Sequence, residues 1–134
     1  LCNNLSYVDH TGMVGNKYTD DYSSLLSRYK TAIAATTFYP TIKYWEIPSA
    51  GCMTFMEITD KNKGTYLGYQ DNKTAIFINE KNYKHKFEEF LSDPDNPKWE
   101  KIANAGRKFT MEELNNDKAV ESLVNLMRDL INKK

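Results

Sequence analysis

Three short apolar runs, each bounded by turn residues and separated by segments of helical periodicity, constrain this chain more than any other feature. The runs are Thr31-Ala32-Ile33-Ala34-Ala35-Thr36, Cys52-Met53-Thr54-Phe55-Met56 and Thr74-Ala75-Ile76-Phe77-Ile78. Each is too short for a helix and reads as a buried strand. Between them lie helical segments at 20–29, where Tyr22, Leu25, Leu26 and Tyr29 recur at helical spacing behind the N-cap candidates Thr19 and Asp20, and at 41–50, which Pro48 shortens or kinks. Another spans 82–91, with Tyr83, Phe87, Phe90 and Leu91 on one side. Such alternation predicts an α/β fold, a small parallel sheet flanked by helices.

The tail reads as two helices. One starts at Asp93-Pro94-Asp95, carries Trp99, Ile102, Ala103 and Gly106 on one face, and breaks near Phe109. The last runs from about Asp117, with Ala119, Val120, Leu123, Val124, Met127, Leu130 and Ile131 in a 3.6-residue period. One continuous apolar face on each predicts that both pack back over the sheet, with Trp45, Phe55, Phe77, Trp99 and Leu123 buried. The first 19 residues, punctuated by Gly12, Gly15 and Asn16, read as loop. Three strands make a thin parallel sheet, so the chain, 1–134, reads as a single domain cut from a larger α/β unit.

Charge excludes several partners. Lys+Arg and Asp+Glu balance at 18 each, without the basic excess of a dedicated nucleic-acid binder. Lys81, Lys84 and Lys86 with Glu88 and Glu89 read as one solvated helix face. No apolar stretch is long enough to span a bilayer, so no transmembrane segment is expected. Cys52, inside an apolar run, reads as a buried free thiol, which suits a cytoplasmic compartment. His10 and His85 lack the spacing of a metal site. No phosphate loop or nucleophile elbow occurs. Glu57 and Asp60, at a strand end, resemble part of the acidic pocket of a signalling receiver but lack its acids on an earlier strand.

The informative stretch runs from Phe38-Tyr39-Pro40-Thr41-Ile42-Lys43 to Cys52, after one strand and before the next. Its helix should begin at the carboxyl edge of the sheet, where open α/β sheets take their ligands. The unpaired N–H groups of the helix N-terminus, with the backbone around Thr41, suit phosphate; Lys43 adds a compact cation, and Tyr39 and Pro40, in the turn that leads in, are read as ligand-binding with them. Glu46, one turn on, suits a pair of vicinal hydroxyls, because an ionised acceptor makes the stronger bond. The same residues also serve as surface acid, core and helix punctuation in an ordinary α/β domain.

Lys43-Tyr44-Trp45-Glu46-Ile47-Pro48-Ser49-Ala50-Gly51-Cys52 resembles the K-x-x-E-x-P/A-A-x-G block of GT-B glycosyltransferases of the group 1-like type. Leu67-Gly68-Tyr69 with Thr74-Ala75-Ile76-Phe77 is similar to the segment before that family's last strand. Phe87-Glu88-Glu89-Phe90-Leu91-Ser92-Asp93-Pro94, followed by Trp99-Glu100-Lys101-Ile102-Ala103-Asn104-Ala105-Gly106-Arg107, is similar to its terminal D-P…I-A-x-A-G-R pattern. The resemblance covers nearly all of 18–131. It implies part of the Rossmann-like C-terminal half of a hexosyltransferase. A UDP- or GDP-type nucleotide-sugar donor would have its ribose on Glu46. The resemblance implies no cofactor or obligatory metal, and an acceptor-binding N-terminal half outside this chain. The parent would be cytoplasmic or membrane-peripheral, and this piece inactive alone. Many relatives carry an earlier glutamate facing the transferred sugar; Phe38 stands at that position here. The rival reading is a non-catalytic α/β module that senses a nucleotide or binds a protein.

Overall fold

A computed structural model describes residues 2–10 and 22–132. The expected caps Thr19 and Asp20, and most of the expected N-terminal loop, lie outside the described residues. A 3-10 turn at Cys2–Asn4 is followed by α1 (Tyr22–Leu26), β1 (Thr31–Ala34), α2 (Lys43–Ser49) and β2 (Met53–Glu57). A 3-10 helix at Gly64–Leu67, β3 (Ile76–Ile78), α3 (Tyr83–Ser92), α4 (Pro97–Glu113) and α5 (Asn116–Asn132) complete the order.

The three strands form one parallel sheet in the order β1-β2-β3. Thr31 pairs with Met53 and Ala34 with Met56, while Phe55 pairs with Ile76. Successive strand residues point to opposite faces, and the core divides accordingly. One face gathers Ala34, Met56, Tyr44, Ile47, Leu67, Tyr69 and Ala75 under α2. The other gathers Met53, Phe55, Ile76 and Ile78 under Phe87, Phe90, Trp99 and Ile102 from α3 and α4. The aromatic rings there meet edge to face, with Phe55 4.8 Å from Phe87 and Phe90 5.5 Å from Trp99 between centroids. Each such side chain contributes about 1.5–3 kcal/mol by leaving water.

Helix α4 joins the two halves of the core. Its start is fixed by Asn96, whose side chain accepts from the Lys98 N–H at 3.0 Å, and by Pro97 in the first turn. It begins against the second cluster through Trp99, Ile102 and Ala103, and ends against the first through Phe109. At the crossing, Gly106 lies so close to the chain before β3 that a Cβ would sit 2.3 Å from the Thr74 carbonyl oxygen. Only a glycine permits that approach.

Several expectations need correction. The strands are shorter than or offset from the apolar runs, and the first helix stops at Leu26 because Arg28 and Tyr29 already close tighter turns onto Leu25 and Leu26. The break expected near Phe109 falls at Leu114-Asn115 instead: α4 runs unbroken to Glu113, and Leu114 caps it with its N–H on the Thr110 carbonyl. Trp45 and Phe77 are half-buried rather than buried. Most importantly, α5 does not pack over the sheet: none of its residues is buried, and Leu123 and Met127 are 56% and 54% exposed. The sheet faces it would need are already covered by α2, α3 and α4, and after Leu114 the chain leaves the core.

Candidate functional site

Because the strands are parallel, Ala34, Glu57 and Ile78 all end at one edge of the sheet. An open groove of about 1380 Å³ begins at that edge and reaches Tyr29 and Lys30 beside the start of β1. Its carboxyl end is lined by Thr36 and Thr37 after β1, Glu57 at the end of β2, and Asn79 and Glu80 after β3.

Of the residues expected to meet a ligand, Thr41, Lys43 and Glu46 line this groove together. Pro40 is half-buried and Tyr39 is 70% exposed, and neither lines it; Phe38, 67% exposed, does not line it either. The first turn of α2 has no side-chain cap. Tyr44 N–H donates to Thr41 O at 2.9 Å, and Trp45 and Glu46 N–H both donate to Ile42 O. Glu46 and Lys43 are half-buried, and their side chains make no hydrogen bond or ion pair with any described residue. A half-buried carboxylate and an ammonium that line the same groove, neither paired with a described residue, leave acceptor and donor capacity for something entering it.

Beneath this surface lies a polar network. Tyr44 is fully buried, and its hydroxyl donates to Glu57 O at 2.8 Å. Buried Asn62 donates to the same carbonyl at 2.7 Å, while its own oxygen accepts from the Thr59 and Gly64 N–H groups. The Glu57 carboxylate accepts from the Thr36 N–H at 2.8 Å, tying the end of β1 to the end of β2. Behind α2, the Tyr69 hydroxyl bonds Tyr44 O at 2.9 Å and the Thr110 hydroxyl at 2.7 Å. Burial raises the Tyr44 hydroxyl far above an ordinary phenol, with the Glu57 charge adding to the rise. Burial also pushes Tyr69 up to about 12, against a lowering by Thr110. Both tyrosines are therefore neutral structural donors at ordinary pH. No buried side-chain nitrogen or oxygen among the described residues lacks a partner.

The groove residues missed in sequence are Thr36, Thr37, Glu57, Asn79 and Glu80. A signal was present, since each stands at or just beyond the end of an apolar run, where parallel strands deliver side chains to one edge. Glu57 does not stand in an acidic pocket of the receiver kind: among the described residues no third acid joins it and Asp60 in a cluster. Its carboxylate instead accepts from the Thr36 N–H and acts electrostatically on Tyr44 and Cys2. Among the described residues, no group of three or more His, Cys, Asp or Glu is placed to hold a metal ion, and no helix is long and apolar enough to cross a membrane.

This is an α/β domain with an open groove, partly charged and partly apolar, at the carboxyl edge of a parallel sheet. The sequence pattern of the glycosyl transferase-like family matches residues 6–125, and the chain belongs to that family. No curated protein and no solved structure matches it.

Proposed function

We propose that this chain is the nucleotide-sugar-binding portion of the C-terminal half of a GT-B-type glycosyltransferase. The transferred sugar would leave a UDP- or GDP-type donor held in the carboxyl-edge groove. The observation that carries this reading is the Glu46 carboxylate, unpartnered among the described residues and half-buried in a groove that Lys43 also lines, in a chain of the glycosyl transferase-like family. In this reading Glu46 accepts the ribose hydroxyls, and Lys43 with the chain around Thr41 meets the diphosphate. Tyr39 and Pro40 shape the approach to that turn rather than the groove itself. Catalysis of this type rests on positioning the donor and stabilising the departing diphosphate. The acceptor and the general base belong to a further half, so this chain alone binds donor without transferring it. No metal or other cofactor is required.

The exposed Phe38, in place of the acid that many relatives carry, favours a second reading, in which the domain senses a nucleotide or docks a protein without turnover. A turnover assay of the full-length protein separates the two.

The test of the first reading is Glu46→Gln, which keeps shape and removes charge. Donor affinity in the full-length protein is expected to fall by about 1.5–3 kcal/mol, tenfold or more in Kd. The melting temperature should barely change, because the carboxylate has no structural partner among the described residues. Calorimetric titration of UDP- and GDP-sugars beside a thermal melt reads both quantities. Intact binding with a lowered melt would remove Glu46 from the site.

A further inference from the structure

We infer that Glu57 is a second ligand-binding carboxylate of the groove, one that accepts a hydroxyl of the sugar carried by the donor. The inference rests on the donor-binding reading above.

Three hydrogen bonds converge on this residue. Its carbonyl accepts from Tyr44 at 2.8 Å and from Asn62 at 2.7 Å, and its Oε2 accepts from the Thr36 N–H at 2.8 Å. Both ends of Glu57 are thus fixed, at the last position of β2, by groups that are themselves buried or part of the backbone. Holding a side chain by its supporting shell is what allows it to meet a ligand without first being ordered. Only Oε1 has no partner among the described residues. Since no buried side-chain oxygen is left unpaired, Oε1 is not shut away in the core, and Glu57 lines the groove. A rigid carboxylate with one spent and one open oxygen accepts one further hydrogen bond, and it accepts only from a donor.

The charges of the groove sort a ligand that carries both phosphate and hydroxyl groups. Among the described residues, Lys43 is the cation of its carboxyl end, while Glu46, Glu57 and Glu80 are its acids. A diphosphate is repelled from the ends of β2 and β3 and attracted toward Lys43. Neutral, hydroxyl-rich groups take the positions beside the acids, where they donate to ionised acceptors. Thr36 and Thr37, which also line this end, offer hydroxyls that both donate and accept. A sugar suits this lining; a second phosphate or a carboxylate does not.

The experiment compares two classes of ligand on the wild type and two variants of the full-length protein. Calorimetry measures Kd for UDP and GDP and for UDP-glucose and GDP-mannose, on wild type, Glu57→Gln and Glu46→Gln. The amide oxygen of Glu57→Gln still accepts from the Thr36 N–H, and a thermal melt checks that the fold is kept. The expected result is that Glu57→Gln weakens nucleotide-sugar binding by about tenfold and leaves the nucleoside diphosphate within about twofold. Glu46→Gln weakens both. If Glu57→Gln alters neither ligand, or weakens both equally, Glu57 is a strand-end brace and the inference is overturned, while loss of both ligands in Glu46→Gln leaves the donor-binding reading standing. If no wild-type nucleotide or nucleotide-sugar binding is found, the donor-binding reading falls and takes the inference with it. Should Glu57→Gln melt lower, Glu57→Asp supplies the comparison. It keeps the charge but withdraws the carboxylate, so a sugar-specific loss in it with the diphosphate unaffected supports the inference, and equal effects on both ligands overturn it.

Discussion

Helices α4 and α5 are each 17 residues long, adjacent in the chain, and amphipathic. One buries five residues and touches both halves of the core; the other buries none. Their difference lies in the apolar face rather than in its existence. The α4 face mixes Trp99 and Ile102 with Ala103 and Gly106, so a broad ring sits beside a site where two backbones almost meet. On α5, beyond Ala119, the face is made of large chains without a small residue among them, from Val120 at 60% to Ile131 at 71% exposure. Small residues among large ones mark a face shaped to one neighbour. A uniform stripe says only that a face is apolar.

The largest expected effect is at that close approach. Gly106→Leu drives a side chain into the Thr74 carbonyl and should cost on the order of 4 kcal/mol, enough to unfold a marginal domain. A stable, soluble Gly106→Leu protein in chemical denaturation would mean that α4 is not clamped to the sheet. Next comes a matched pair. Ile102→Ala should cost about 3 kcal/mol by leaving a core cavity. Leu123→Ala should change stability by less than about 0.5 kcal/mol, because nothing among the described residues covers it. Denaturant melts of both variants test the contrast, and equal losses would show that α5 is packed after all.

A third measurement sharpens the role of α4 through Tyr69, which is bonded to Thr110. Tyr69 is held neutral up to about pH 12 in the fold, whereas the same phenol ionises near pH 10 in an unfolded chain. The unfolded state therefore releases its proton first. Stability present below about pH 10 is lost as pH rises toward 12, by on the order of 2 kcal/mol from this group. Tyr44 acts in the same direction. Melts between pH 9 and 12 should fall steeply in the wild type and less steeply in Tyr69→Phe.

Much of the fold was legible. The apolar runs around Ile33, Phe55 and Ile76 marked the three parallel strands, and Pro48 with Gly51 marked where the middle helix had to stop. Of the groove lining, Thr41, Lys43 and Glu46 were readable because they follow a strand at fixed spacing. Tyr39 and Pro40 were placed in the groove because the chain approaches α2 through them, but the turn carries them outside it. Glu57 and Asn62 were harder to read, since their roles depend on pairings with Thr36 and Tyr44 that sequence distance hides. The position of α5 was not legible at all. Periodicity reports a helix's own surface and is silent about what another part of the molecule has already occupied.

Cys52 gives this architecture a clock. Its sulfur points at the Leu26 and Tyr29 carbonyls, 3.0 and 3.3 Å away, and burial raises its thiol above the usual range. An alkylating reagent reaches it only when α1 swings off the sheet, and only the small thiolate fraction then reacts. Its rate of labelling therefore records how often the α1 side of the domain opens, once the faster labelling of the half-buried Cys2 is set apart.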